Sequence, residues 1–475
     1  MSVRESHRRD VGFFERYFIG RNVHSIYTNV GVVTRLNHLV SAEVLSNAVR
    51  SMILQNPWLV VNYFSRSKTS YQVRPEDYEA RFINEIKFLN VVSFETVPSF
   101  NEDLLEKMDK QRLPLDSTTL PLWRIVVYTV RDSGEQYVCG CFDHTIFDGL
   151  ASVEFLRDLV KELSYVKEAD SMVGTLFEYS QDAVRLPERV PLCTELKTDL
   201  FSPSFSGKIL QRLYDVLVSF IPSFFKRTSL ISTGIPITKD TSSKFKIVRF
   251  EQDEVRRITE FCRSQNFTLT PFFHCVGINC LESHFYNRFR NPDYHTLSLI
   301  AINGRRYFPE FAANFNYSPT VSAQAFRLPP TVDYSESNII TLIRHTYMKM
   351  AENLISRETF KSSWCLSYQN LLKLYYSLIG SDVGKASLIT SNLGKVENKS
   401  EDWTIEEIWF VSNTSVTYNF LFNMITSPAG VLNLVIPYSV ELSSFEIEVD
   451  GKLMKAVDHF AIMFKRKVLS FVSSH

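Results

Sequence analysis

The sequence predicts a mixed α/β fold in two halves joined by a helical crossover, and three observations carry that reading. Residues 121–130 and 136–142 are two apolar runs of strand character separated by the turn Arg131-Asp-Ser-Gly134, and a stripe of helical spacing follows at 150–159. A second series of strand-like segments fills the last third, at 386–390, 409–413, 416–424 and 431–437. Between the halves, 201–235 places its apolar residues on one broad helical face. The expected organisation is an N-terminal domain over 1–204, a crossover or lid over 205–240, and a C-terminal domain over 241–475.

Taken in order, residues 12–26 mix aromatics with Arg16 and Arg21, and 28–34 predict a strand. Ser41 precedes a helix over 42–54, whose apolar positions 44, 45, 48, 49, 52 and 53 form one packing stripe; Asn56-Pro57 ends it. Residues 75–119 are charge-rich surface with a short helix at 104–108. The hairpin 121–142 follows, with Trp123 assigned to the core and, as a second role, to the wall of a substrate channel. In the second half, 244–250 predicts a strand, 253–264 a helix, and Thr270-Pro271 the start of another helix running toward Tyr286. A buried-type strand at 297–302 leads into loops at 303–306 and 314–317; 331–335 is too short and polar for a strand and leads into a helix over 336–354. Gly430 and Asp450-Gly451 mark turns, and 454–469 closes the chain as a helix.

The crossover is the least ordinary stretch. Ile209, Leu213, Leu217, Ile221 and Phe225 share a face opposed by Lys208, Gln211, Arg212, Asp215 and Lys226-Arg227, and Pro222 must kink or end the helix. Such a face suits a helix lying in a membrane interface, a lid over an acceptor tunnel, or plain packing between domains.

Composition excludes several classes. Lys plus Arg equals Asp plus Glu at 52 each, so no global field collects nucleic acid. The seven cysteines are odd in number and spread, with neither ligand spacing nor disulfide density, which fits a reducing compartment. No uninterrupted apolar run reaches about 18 residues and the start is polar, so neither a cleaved signal nor a membrane span is expected. No G-x-G-x-x-G follows a strand, no Ser or Cys sits in a nucleophile elbow, and no cluster of ligand residues suggests a metal.

The chemistry concentrates in His144-Thr-Ile-Phe-Asp148-Gly149, between the second strand of the hairpin and the helix behind it. A histidine at a strand end is firmly placed yet able to face a cleft, and its ordinary pKa near 6.5 suits a general base. Asp148 can orient the ring, or it can leave the reacting face and hold the loop by pairing with an arginine. Gly149 permits close approach or an unusual dihedral.

This hexapeptide resembles the HxxxDG signature of the CoA-dependent acyltransferase superfamily, and the chain is most similar to its fungal alcohol O-acetyltransferase family, which includes long-chain amine N-acetyltransferase relatives. Supporting segments run in order: Arg21 to Val30, Gln55-Asn-Pro-Trp58, Pro121-Leu-Trp123, Thr270-Pro-Phe-Phe-His274 with Gly304-Arg305 and Asn314, and Ser391-Asn-Leu-Gly394. The resemblance implies two chloramphenicol-acetyltransferase-like domains about a channel, with His144 at its middle and acetyl-CoA entering as co-substrate from one end. It implies Arg305 as the partner of Asp148. Ser391 and Asn392, with Asn314 and Gly394, become candidates for the oxyanion or CoA side, and Trp123, Leu213, Leu217 and Ile221 for a channel or membrane face.

The function expected is acetyl transfer from acetyl-CoA to the hydroxyl or amine of a hydrophobic acceptor, a medium- or long-chain alcohol or a sphingoid-like amino alcohol. The chain's 37 Phe and 21 Tyr and the crossover's apolar face favour a lipophilic acceptor. The alternatives are a volatile-ester-forming short-chain alcohol O-acetyltransferase, a non-catalytic member of the fold, and an interfacial scaffold. A monomer is expected, cytoplasmic, with peripheral contact to endoplasmic reticulum or lipid droplet, and without metal.

Overall fold

The computed structural model describes residues 7–26, 29–66, 77–166, 169–220, 236–286, 296–310, 315, 317–328, 336–370, 373, 376–377, 379–380 and 385–473. The architecture is α/β, with two mixed sheets flanked by helices.

The first sheet has five strands in the order Ile405–Ser412, Asn29–Leu36, Gln136–Asp143, Trp123–Val130, Val92–Val97. Neighbours are antiparallel except Val92–Val97, which runs parallel to Trp123–Val130. The expected hairpin is therefore its centre, in the register Trp123↔Phe142 to Thr129↔Gln136. The helices Ala42–Gln55 and Gly149–Tyr165 cover it, Leu45, Val49 and Met52 from one and Leu156, Leu159 and Leu163 from the other joining Val30, Ile125 and Val138 in one core. Ser41 caps the first of these helices by accepting from Val44 N at 3.3 Å.

The second sheet has six strands in the order Ser243–Phe250, Leu432–Ser439, Tyr418–Thr426, Ala386–Lys395, Thr296–Asn303, Val321–Leu328. Ala386–Lys395 is parallel to both its neighbours and the remaining pairs are antiparallel. Helix Leu269–Leu281 packs on it between Glu336–Ser356 and Ala456–Ser473, so it is apolar nearly all round rather than striped. A third apolar cluster joins the sheets, with Val33, Tyr128 and Cys139 from the first, Phe245 and Val435 from the second, and Trp409 and Val411 from the strand that spans them in sequence.

Two expectations change. Val321–Leu328 is a full edge strand where none was expected, because its buried positions are Ser322, Gln324, Phe326 and Leu328 and half of that face is polar. The segment expected as a strand at 409–413 begins earlier, at Ile405, and completes the first sheet rather than the second. Residues 331–335 and Pro222 lie outside the described residues.

Helix Leu269–Leu281 approaches the sheet through Gly277, where a Cβ would lie 2.5 Å from Phe422 Cε2 and 2.8 Å from its Cζ. Phe422 has no exposed surface into which it can retreat. Gly277→Ala should therefore cost about 1–3 kcal/mol of stability by overpacking, although alanine is the better helix former; a denaturant titration showing equal or greater stability would contradict this packing.

Candidate active site

The strand Gln136–Asp143 is buried from Tyr137 to its end, which is why it reads as a continuous apolar run. Asp143 Oδ1 accepts from Thr145 N at 2.7 Å and from the Thr145 hydroxyl, while Asn22 Nδ2 donates to Oδ2 at 2.8 Å. These bonds turn the chain sharply. Ile146 and Phe147 fall into the core, and the Phe147 ring lies 4.6 Å from Phe142 and 5.1 Å from Tyr317 between centroids.

From Tyr137 to Asp148, His144 alone is half-buried while its neighbours are buried. Its ring stacks on Phe18, with centroids 4.2 Å apart and planes at 7°. Nδ1 is buried without a hydrogen-bond partner, which leaves Nε2 as the accessible nitrogen. Burial pushes its pKa down to about 4; Asp148 opposes that shift and the positive charge of Arg21 adds to it. The imidazole is thus neutral near pH 7, the state a general base requires.

Asp148 is the N-cap of helix Gly149–Tyr165, Oδ1 accepting from Ala151 N at 2.9 Å. Oδ2 accepts from Arg305 Nη1 at 2.7 Å and from Thr320 N at 2.8 Å. Arg305 also donates through Nη2 to the Ser318 carbonyl at 2.9 Å and lies 4.7 Å above the Phe315 ring. Of the two roles open to Asp148, this is the geometry of a loop-holding ion pair. Gly149 is required by close approach, since a Cβ there would lie 2.9 Å from both Leu393 Cδ2 and Phe410 Cζ.

Leu393 thereby brings the segment 391–394, the end of strand Ala386–Lys395, against the start of that helix. Asn392 is already engaged at both ends of its amide: Nδ2 donates to Thr270 Oγ1 at 3.1 Å, and Oδ1 accepts from Gly394 N at 2.9 Å. Gly394 has φ +79°, a backbone that favours glycine. Ser391 is half-buried in the ladder opposite Asn423. Asn314 and Ile221 lie outside the described residues.

Two expectations for the channel wall are corrected. Trp123 has no exposed surface and donates Nε1 to the Leu59 carbonyl at 2.9 Å, so it belongs to the core alone. Leu213 and Leu217 sit on helix Phe205–Phe220 and point away from the protein, 53% and 67% exposed. It is the polar side of this helix that faces inward: Gln211 donates to the Ser362 carbonyl, Lys208 and Arg212 lie over Trp364, and Tyr368 donates to Asp215. His274 is a core residue, held by Thr390 and Ser298 at 2.9 Å each.

Among the described residues, Glu15, Cys193 and Glu195 converge within 4.8 Å of one another. Glu15 is already occupied, receiving Arg9 at 2.7 and 2.6 Å, the Tyr63 hydroxyl at 2.6 Å and Gly12 N at 2.8 Å. Burial holds the Cys193 thiol well above its ordinary pKa and pushes Glu195 up to about 7. This donor set reads as the N-terminal anchor of helix Phe13–Val23, to which Glu195 adds a bond from Phe14 N at 3.0 Å.

That helix carries site residues which the sequence reading left unassigned: Phe18, Arg21 and Asn22, one face at helical spacing. Its burial is nearly all round, so no stripe marked it; the three- and four-residue spacing was the only signal available.

Removing the Asp148 carboxylate would strand the buried Arg305 guanidinium and uncap a 17-residue helix. Asp148→Ala should cost about 3–5 kcal/mol, read as a large fall in melting temperature; unchanged melting would refute the structural role.

Known proteins resemble this chain along its length. The family model described as alcohol acetyltransferase matches residues 10–468. Alcohol O-acetyltransferase 1 of Saccharomyces cerevisiae is 22% identical over 61% of this chain and 60% of its own length, so that match spans less than two thirds of the yeast protein. An uncharacterised protein of Schizosaccharomyces pombe is 24% identical over 98% of this chain and 97% of its own. Among solved structures, the trichothecene 15-O-acetyltransferase of Fusarium sporotrichioides superposes with a TM-score of 0.70 at 14% identity, covering 98% of this chain and 95% of that one. The condensation domain of the monacolin K polyketide synthase gives 0.61 at 13% identity, covering 98% and 96%, and these likenesses establish a condensation-domain-like acyltransferase fold. With the family model spanning nearly every residue, the chain belongs to the alcohol acetyltransferase family.

Proposed function

We propose that the protein transfers an acetyl group from acetyl-CoA to the hydroxyl of a hydrophobic alcohol, with His144 as general base. The observation that carries this is the neutral, part-exposed imidazole of His144, held against Phe18 with Nε2 free at the head of the HxxxDG turn. The hydroxyl proton passes to Nε2 as the oxygen attacks the thioester carbon, and no acyl-enzyme is needed. The family description and the yeast relative's name favour oxygen over nitrogen as the nucleophile. They also favour the short-chain alternative over a sphingoid-like acceptor. The apolar face that argued for a long-chain acceptor points outward, so it offers such a chain no tunnel wall.

The test is thiol release from acetyl-CoA across a series of primary alcohols, with product identification from one amino alcohol. His144→Ala should lower turnover by roughly 10²- to 10⁴-fold while the protein stays folded; near-wild-type turnover would sink the assignment. Because His144 titrates near 4, kcat/KM should hold its plateau down to about pH 5 and fall only as the ring protonates below that. A wild-type limb centred near 6.5 would contradict the desolvated environment.

We propose further that the protein meets membranes or lipid droplets peripherally, through helix Phe205–Phe220. No helix among the described residues is long and apolar enough to cross a bilayer. With its polar residues engaged on the body, this helix presents Phe205, Leu210, Leu213, Tyr214 and Leu217 outward, an apolar face of the kind that lies in a membrane interface. Co-sedimentation with phosphatidylserine-containing vesicles should fall severalfold in Leu213→Ser/Leu217→Ser, with turnover on soluble alcohols retained. A wild-type protein that ignores such vesicles would exclude this role.

A further inference from the structure

The oxyanion expected from acetyl transfer has no donor assigned by the geometry above. Asn392 is committed to Thr270 and Gly394, and the Arg305 guanidinium to Asp148 and Ser318. Arg21 is different. It is 5% exposed, donates through Nε to the Ile26 carbonyl at 3.2 Å and through Nη1 to the Tyr17 hydroxyl at 3.5 Å, and lies 5.6 Å above the Tyr17 ring. Its Nη2 is buried with no partner. Among the described residues no carboxylate pairs with it, whereas Arg9 and Arg305, whose side chains are comparably buried, hold Glu15 and Asp148. A buried guanidinium without a counter-charge is costly unless an anionic group arrives to use it.

Its position fits that use. Arg21 lies on the helix face that holds Phe18 and Asn22, and those two grip the reacting turn directly, Phe18 on the His144 ring and Asn22 on Asp143. The charge of Arg21 acts on both His144 and Tyr418, the latter at the start of a strand of the second sheet.

We propose that Arg21 is the oxyanion-binding catalytic residue, its Nη2 donating to the carbonyl oxygen of the acetyl thioester as that oxygen becomes negative. The proposal rests on the acyl-transfer reading given under the proposed function. The acceptor oxygen forms a bond to the carbonyl carbon, its proton goes to His144 Nε2, and the carbonyl π pair moves to the oxygen facing Arg21. Collapse restores the C=O, breaks the C–S bond, and returns the proton from His144 to the departing sulfur, giving the ester and free CoA thiol. A cation fits this task because it is matched to a charge present only along the reaction path.

The same charge opposes protonation of His144, and this provides an independent readout. Besides burial, the groups acting on that ring are Asp148 and the backbone of His144 and Phe147, which favour its protonation, and Arg21, which disfavours it, with Phe18 stacked on its face.

The experiment compares wild type, Arg21→Gln, Arg21→Lys and His144→Ala in full-length protein, by kcat and KM for acetyl-CoA, the pH profile of kcat/KM, and thermal melting. Arg21→Gln should lose about 10²- to 10³-fold in kcat with KM within a few-fold and melting largely retained, and its acidic limb should move to higher pH. Arg21→Lys should keep the limb in place and recover part of kcat. Loss confined to KM would overturn the proposal, as would kcat within about threefold of wild type. If Arg21→Gln melts much lower, the folded Arg21→Lys protein decides: a limb displaced from wild type and no advantage in kcat would mean a structural arginine. A fully active His144→Ala enzyme would instead remove the general-base reading and leave the Arg21 comparison interpretable by itself.

Discussion

The Asp148 carboxylate is the constraint on which the site depends, because three donors from three parts of the chain share its two oxygens. Ala151 N belongs to the helix it caps, while Arg305 and Thr320 come from the two ends of the connection between the edge strands Thr296–Asn303 and Val321–Leu328 of the second sheet. A charge-assisted bond and a backbone bond meet on Oδ2, so the direction of the carboxylate is fixed to within the tolerance of both. The helix start, and with it the turn that carries His144, is thereby tied to loops more than 150 residues away. Gly149 completes the tie, since only a missing Cβ lets Leu393 and Phe410 close over the same spot.

His144 is held by the opposite kind of interaction. It makes no ion pair; the ring lies flat on the face of Phe18, with the backbone of His144 and Phe147 acting on it as well. An apolar mount of this kind keeps the imidazole neutral by denying the charged form its solvation, whereas a hydrogen-bonded carboxylate would raise its pKa. The position of Phe18 in turn depends on the N-terminus of its helix, where Glu15 and Glu195 gather the first backbone amides and Arg9 balances their charge. His144 therefore rests on one electrostatic anchor behind the ring and another beneath the turn.

Much of this was legible in the sequence where a residue pattern has one physical cause. The hairpin, the helix behind it and the stripe at 42–54 each show a period that burial on one side or both must produce. Val321–Leu328 was illegible because Ser322 and Gln324 occupy its buried face and find partners there, so the alternation that marks a strand is chemically mixed. Helix Phe13–Val23 was illegible for the reverse reason: surrounded on most sides, it has no polar face to set a stripe apart. The crossover showed its amphipathicity plainly, but amphipathicity does not say which face meets the protein. There the specific bonds of Gln211 and Asp215 and the aromatic seats of Lys208 and Arg212 turned the polar side inward.

The strand Ile405–Ser412 shows why the chain's linear division describes its architecture incompletely. It pairs with Asn29–Leu36 over seven positions, and its Phe410, close against Gly149, is part of the wall behind the turn that bears His144. Its Trp409 and Val411 pack with Phe245 and Val435 of the second sheet. One strand therefore gives one face to the first core and the other to the cluster that joins the sheets, as the alternation of its side chains allows. It also removes the open edge that Asn29–Leu36 would otherwise expose. The first sheet is thus complete only when sequence from beyond residue 400 has returned to it, and the contacts that align Asp148 with Arg305 are made across the same junction. Geometry at His144 is consequently a property of the whole chain, because the turn that bears it is packed from behind by the second half and from in front by the first.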